Sequence, residues 1–242
     1  MRLAFVHARM TLLAFGRYPT FAVPTLLLPT LFFVLFGLPD SHESHRVITA
    51  SFTAYAIFTV VFFLFGVGIA GERESPWEAY LRTLPIRVRS RLAGRVLAAF
   101  AFAAAGAGLL LVTAAATGFA GFDRTAWLRF ALALLAGAVP VSLLGIALGY
   151  WVPAKGALPV ANILYLLFAY AGGLWTGPHG LPTVAERLSP FLPTRQWAEL
   201  LWPAVQGESW RATHWLALLG FACGFAGLAA WGYRRDEGQR FR

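Results

Sequence analysis

The densest chemistry in the sequence lies between Gly71 and Pro85, where Glu72, Arg73, Glu74, Glu78 and Arg82 crowd together in a chain with only 13% charged residues. So dense a charge pattern is more than a linker requires. The same run carries the signals of a short helix. Ser75 can cap it, Pro76 takes the first helical position where no amide donor is needed, and Glu78 stands three residues after the cap to close a capping box. Pro85 ends it. Trp77, Tyr80, Leu81 and Leu84 then offer one surface to a partner groove, to the protein's own underside or to lipid headgroups.

Two smaller groups could also do chemistry. Asp40, His42, Glu43 and His45 place two carboxylates and two imidazoles within reach of a metal, but a short solvated loop accounts for them without one, and no metal site is assigned. Asn162 and Tyr165 stand in otherwise apolar sequence, where they can line a polar path or hydrogen-bond between helices. No catalytic residue is assigned, because the chain has no His-Glu-x-x-His, no Gly-x-Ser-x-Gly and no Gly-x-x-x-x-Gly-Lys-Ser/Thr phosphate loop. The chain is therefore expected not to be an enzyme, and any ATP chemistry has to come from a partner.

The elements that position these groups follow from composition. The 242 residues are 58% hydrophobic, with a net charge of +9 and a mean hydropathy of +0.63. A soluble domain is about 45–50% apolar and about 25% charged. A lone Cys223 excludes a disulfide scaffold and reads as a small packing residue. Six stretches lack Asp, Glu, Lys and Arg: 18–39, 47–71, 96–122, 130–154, 156–185 and 212–233. Each exceeds the roughly 20 residues that cross a hydrocarbon core. The expectation is an all-α integral membrane protein, one transmembrane domain over 1–242, with spans at about 19–38, 48–70, 96–118, 130–152, 157–175 and 213–233.

Arginine placement sets the orientation. Fourteen of the 20 Lys and Arg fall on the side that holds both termini and the 71–85 run, which predicts that both termini are cytoplasmic. The basic charge thus reads as a topology signal rather than a nucleic-acid footprint. Leu3, Val6, Met10 and Leu13 recur at helical spacing before the first span and predict an amphipathic surface helix, not a cleaved leader. Prolines 24, 29, 140 and 159 can kink spans, and the pairs Ala104/Gly108 and Gly145/Gly149 let helices approach closely. Residues 176–211, with Pro178, Pro182, Pro190, Pro193 and Pro203, are too long and broken for a turn. They predict external helices that re-enter the membrane or rest on its surface.

The run from Glu72 to Pro85 resembles the Glu-Arg-Glu-x-Gly-Thr-x-Glu-x-Leu-x-x-Thr-Pro loop of bacterial ABC-2 type permeases, the membrane subunits of ABC exporters. Glu72, Arg73, Glu74, Glu78, Thr83 and Pro85 match, Ser75-Pro76 replaces Gly-Thr, and Tyr80 stands near the usual Leu. The Leu188–Leu201 stretch looks like the family's Pro-containing external element. The resemblance implies a multi-pass permease of the bacterial inner (plasma) membrane that exports a hydrophobic or amphipathic substrate such as a lipid, drug or antibiotic. It implies a second permease as partner, in a homo- or heterodimer, and cytoplasmic ATPase subunits that bind ATP and Mg, with no cofactor in this chain. The loop is then the coupling helix, with Glu72, Arg73, Glu74, Glu78, Tyr80 and Arg82 as its contacts. Two alternatives stay open: a lipid-modifying membrane enzyme using loops 40–45 or 176–211, and a non-transporting assembly or immunity subunit.

Overall fold

The computed structural model describes residues 2–17, 19–39, 43–76, 88–119 and 121–240. Among these every regular element is helical: α1 (Arg2–Arg17), α2 (Pro19–Phe32) with a π-helical turn at Phe33–Gly37, α3 (His45–Arg73), α4 (Val88–Ala116), α5 (Arg124–Trp151), α6 (Ala154–Ala171), α7 (Thr183–Leu188), a 3₁₀ turn at Ser189–Phe191, α8 (Pro193–Gln206) and α9 (Ala212–Arg240). Local signals set the ends. Ser44 Oγ accepts from Val47 N at 3.3 Å to start α3, and the Asp123 carboxylate accepts from Thr125 N and Ala126 N at 3.2 and 3.4 Å to start α5.

Among the described residues five helices, not six, are long and apolar enough to cross a membrane: α3, Ala93–Ala116 of α4, α5, α6, and Ala212–Glu237 of α9. The first uncharged stretch forms a shorter apolar helix, Ala22–Gly37. Pro24 and Pro29 each remove an amide donor from it, and the turn after Pro29 widens to π geometry. The expected span at 157–175 ends as a helix at Ala171, because Gly172 and Gly173 follow and Gly173 turns left-handed at φ 78°.

The helix α3 is the central column. It packs against α2, α4, α5, α6 and α8, and 83% of its apolar window is buried against 17% for α9, so α3 is covered by the chain's own helices and α9 mostly is not. Glycines bring α3 and α5 together: a Cβ on Gly145 would lie 3.1 Å from the Phe62 carbonyl oxygen, and one on Gly149 would lie 2.8 Å from that of Phe65. The other small pair does no such work, since Ala104 is exposed and nothing lies within 4 Å of a Cβ on Gly108. The first helix, α1, packs on α4 and leaves Phe5, Val6, Met10 and Leu13 exposed.

The 176–211 segment packs deep into the bundle. Trp197 and Leu201 of α8 are fully buried, and Trp197 Nε1 donates to the Ala133 carbonyl at 2.9 Å. A Cβ on Gly137 would overlap the Trp197 ring. At 1.5 Å per residue these contacts lie roughly 14–20 Å along α5, almost halfway down its 28 residues. Arg129 of α5 donates to the Glu208 carbonyl just past the end of α8, and within α8 Arg195 pairs with Glu199 at 2.8 Å while lying 4.7 Å over the Trp202 ring.

Candidate functional site

The last turn of α3 delivers Glu72, Arg73 and Glu74 to one point where five helix ends meet. Arg73 Nη1 lies 3.1 Å from Asp236 Oδ1 on α9 and donates to the Tyr150 carbonyl at 3.0 Å; Nη2 donates to the Val152 carbonyl at 3.1 Å. Two of its acceptors are thus the last carbonyls of α5, where a cation satisfies orphan acceptors and meets the negative pole of the helix. Glu74 does the reverse. Its Oε1 accepts from Ala154 N at 2.9 Å, the first amide of α6, whose cap residue Pro153 has no side-chain acceptor of its own. Neighbouring residues of opposite sign therefore serve the end of one helix and the start of the next. Glu72 completes the node: its Oε2 lies 2.7 Å from Arg95 Nη1 on α4, while Arg95 Nη2 donates to the Leu64 carbonyl at 3.2 Å.

Burial ranks these contacts. Arg73 and Asp236 are 15% and 9% exposed, so that pair is shielded, and cutting a shielded pair costs about 3–5 kcal/mol. Glu72 is 61% exposed, so its link to Arg95 contributes about 1 kcal/mol or less. Of the coupling residues expected from sequence, Glu72, Arg73 and Glu74 are brought together and hold the chain's own helices. Glu78, Tyr80 and Arg82 lie outside the described residues, as does the body of the expected 75–85 helix. Ser75 Oγ donates back to the Glu72 carbonyl at 2.7 Å, and Pro76 is helical.

The two residues expected to line a pathway part company. Tyr165 is buried, with its hydroxyl 2.7 Å from Thr59 Oγ1 and its ring 5.3 Å from that of Tyr55. Phe32 and Trp175 flank the Tyr55 ring at 6.1 and 5.4 Å, so an aromatic cluster ties α2, α3, α6 and the turn after α6. Asn162, one turn earlier on α6, is exposed. On the opposite side of the bundle the loops at 43–45 and 176–180 meet: Glu43 Oε1 accepts from His179 N at 3.3 Å and lies 3.0 Å from His179 Nδ1. No group of three or more His, Cys, Asp or Glu able to hold a metal occurs among the described residues.

Asp236, Arg95 and the carbonyls of Tyr150 and Val152 were not singled out from sequence. Asp236 carries a faint signal, an acid following Arg234-Arg235 at the end of an apolar run, but nothing local marks its partner 163 residues away. The backbone acceptors have no sequence signal at all.

No protein-family model matches the chain. Over 223 residues it is 22% identical to a Bacillus subtilis (strain 168) protein described as "Putative transport permease YvfS", a likeness covering 90% of this chain and 91% of the relative. Five apolar helices of membrane-crossing length and an end-to-end likeness to a transport permease together support a multi-pass membrane protein with a permease role.

Proposed function

We propose that the chain is the membrane subunit of an ATP-driven exporter of the ABC-2 type. In this reading α2 with its π turn is a sixth, short span, both termini and the 71–85 connection are cytoplasmic, and the membrane is the bacterial inner membrane. Separate ATPase subunits bind ATP and Mg and press on the connection between α3 and α4; this chain carries no catalysis. A second permease completes a path for a hydrophobic or amphipathic cargo such as a lipid, drug or antibiotic.

The observation that carries the reading is the node at Glu72-Arg73-Glu74. It bonds the root of the connection to α4 through Arg95, to α9 through Asp236, and to the α5–α6 junction through two carbonyls and one amide. Displacement at residues 75–85 is thereby handed to four helices besides α3. Asn162 supports the pairing with a second permease, because its amide sits midway along α6 on an exposed, otherwise apolar face with Leu158, Leu166 and Tyr170. A lipid-facing position gives an amide nothing to bond, whereas a partner helix or a polar path does.

Co-expression with a candidate cognate ATPase tests the reading. The chain should co-purify with that ATPase, and the triple change Glu78→Ala, Tyr80→Ala, Arg82→Ala should abolish both co-purification and nucleotide-dependent transport in vesicles without altering the gel-filtration profile. Undiminished ATPase binding by the triple variant sinks the coupling role. Lipid turnover by the isolated chain without nucleotide favours the enzyme alternative, and ATPase binding without any substrate-dependent hydrolysis favours the assembly or immunity subunit.

A further inference from the structure

A cleft of about 360 Å³ lies beside the charged node, within the roughly 300–1,000 Å³ range of small-molecule sites. Phe65 and Ile69 of α3 with Ile146 and Tyr150 of α5 form its floor. Because α4 packs on α3 while α9 packs on α5, those two outer helices stand as facing walls, contributing Arg95 and Val96 on one side and Ala229, Ala230 and Tyr233 on the other. Val96 and Ala230 are exposed, so the cleft opens sideways, toward lipid in a membrane. Phe65 precedes Arg73 by eight residues, so the slot runs roughly 12 Å from the charged end into the hydrocarbon.

What fills such a slot is constrained by its lining. Water does not, because hydrocarbon walls give it no partners. An empty slot forfeits dispersion contacts along every wall. In a membrane the hydrocarbon at hand is an acyl chain. The polar end of the slot matches the other end of a phospholipid: Arg95 uses Nη1 on Glu72 and Nη2 on the Leu64 carbonyl, two of its five donors. Arg234 follows Ala230 by one helical turn and is exposed on the same face of α9. A guanidinium on the α4 wall and a second, one turn beyond the α9 wall, suit a phosphate.

We propose that this cleft binds one glycerophospholipid, with an acyl chain between α4 and α9 and its phosphate between Arg95 and Arg234. The lipid is a resident of the leaflet at the basic end of the chain, and it touches Arg95, Tyr150 and Tyr233. Arg95 and Tyr150 also bond into the node, through Glu72 and through the Tyr150 carbonyl, so occupancy braces it. The lipid site needs the chain to reside in a membrane but does not depend on an ATPase partner, so the two proposals fail separately.

The test uses the full chain purified in detergent and titrated with palmitoyl-oleoyl phosphatidylglycerol. Native mass spectrometry should show one lipid retained after delipidation of the wild type, and the lipid should raise its melting temperature. Ala230→Trp and, independently, Val96→Trp fill the mouth from opposite exposed walls, so neither crowds the packed core. Each should lower lipid retention at least about tenfold, and Arg234→Gln should weaken it about fivefold, the loss expected for one arginine at a headgroup. Equal retention by both tryptophan variants overturns the proposal, as does an equal thermal shift from inorganic phosphate or from lauric acid alone.

Discussion

Removing Arg73 should cost more stability than removing any other charge among the described residues, and the loss should overlap almost wholly with that from removing Asp236. Arg73 is 15% exposed and Asp236 9%, with Nη1 and Oδ1 3.1 Å apart. Deleting one partner of so shielded a pair costs about 3–5 kcal/mol. For a chain of this size each kcal/mol lowers the melting temperature by roughly 2–4 °C, so Arg73→Ala should melt about 6–20 °C below the wild type. Asp236→Ala should lose less, because Arg73 keeps the Tyr150 and Val152 carbonyls. The double variant should be no worse than Arg73→Ala, which leaves a coupling energy of about 2–3 kcal/mol in the cycle. Melting of the detergent-solubilised protein, followed by gel filtration after heating, reads all four species. Simple additivity of the two single losses refutes the claim that α3 and α9 are held by one shared ion pair.

Other expectations follow from single contacts. Glu74→Gln keeps an acceptor for Ala154 N and should cost less than about 0.5 kcal/mol, whereas Glu74→Ala uncaps α6 and should cost about 1 kcal/mol; the gap between their melting temperatures measures the cap. Gly137→Ala drives a methyl into the Trp197 ring and should destabilise by about 3 kcal/mol, seen as a sharp fall in folded yield, with rescue by Trp197→Leu. Tyr165→Phe deletes a hydroxyl whose partner Thr59 also donates to the Tyr55 carbonyl at 2.8 Å, so its cost should stay near 1 kcal/mol in the same melting assay.

The helices were legible in the sequence because lipid punishes charge, and gaps in the charge pattern report it directly: α3, α5 and α9 fall where such gaps lie. The gaps overstated one element. Residues 18–39 are uncharged and form a contiguous helical run, Pro19–Gly37, in which Pro24 and Pro29 remove amide donors and the last turn widens to π; residues 156–185 are uncharged, yet Gly172-Gly173 end α6 early. Apolarity says that a segment is buried in something, not that it is straight. The depth of α8 was hidden for a related reason: its burial depends on Gly137 leaving room for Trp197, a complementarity between positions 60 residues apart. The node was half legible. Glu72, Arg73 and Glu74 stood out by charge, but their partners are mostly backbone atoms at distant helix ends, and a carbonyl at Tyr150 or Val152 looks in sequence like any other.

Between Trp151 and Ala154 the chain leaves α5 and begins α6 with only Val152 and Pro153 to turn it. The end of α5 presents negative poles and the start of α6 positive ones, and the dipeptide Arg73-Glu74 meets them in that order, guanidinium to carbonyls and carboxylate to amide. The pairing is a polarity lock with a reading frame. One residue added to or removed from α3 above Arg73 turns the helix by roughly 100°, and swapping Arg73 and Glu74 with each other faces each pole with its own sign. The swap leaves composition, net charge and mean hydropathy untouched, yet the joint between α5 and α6 would be pushed open instead of held shut.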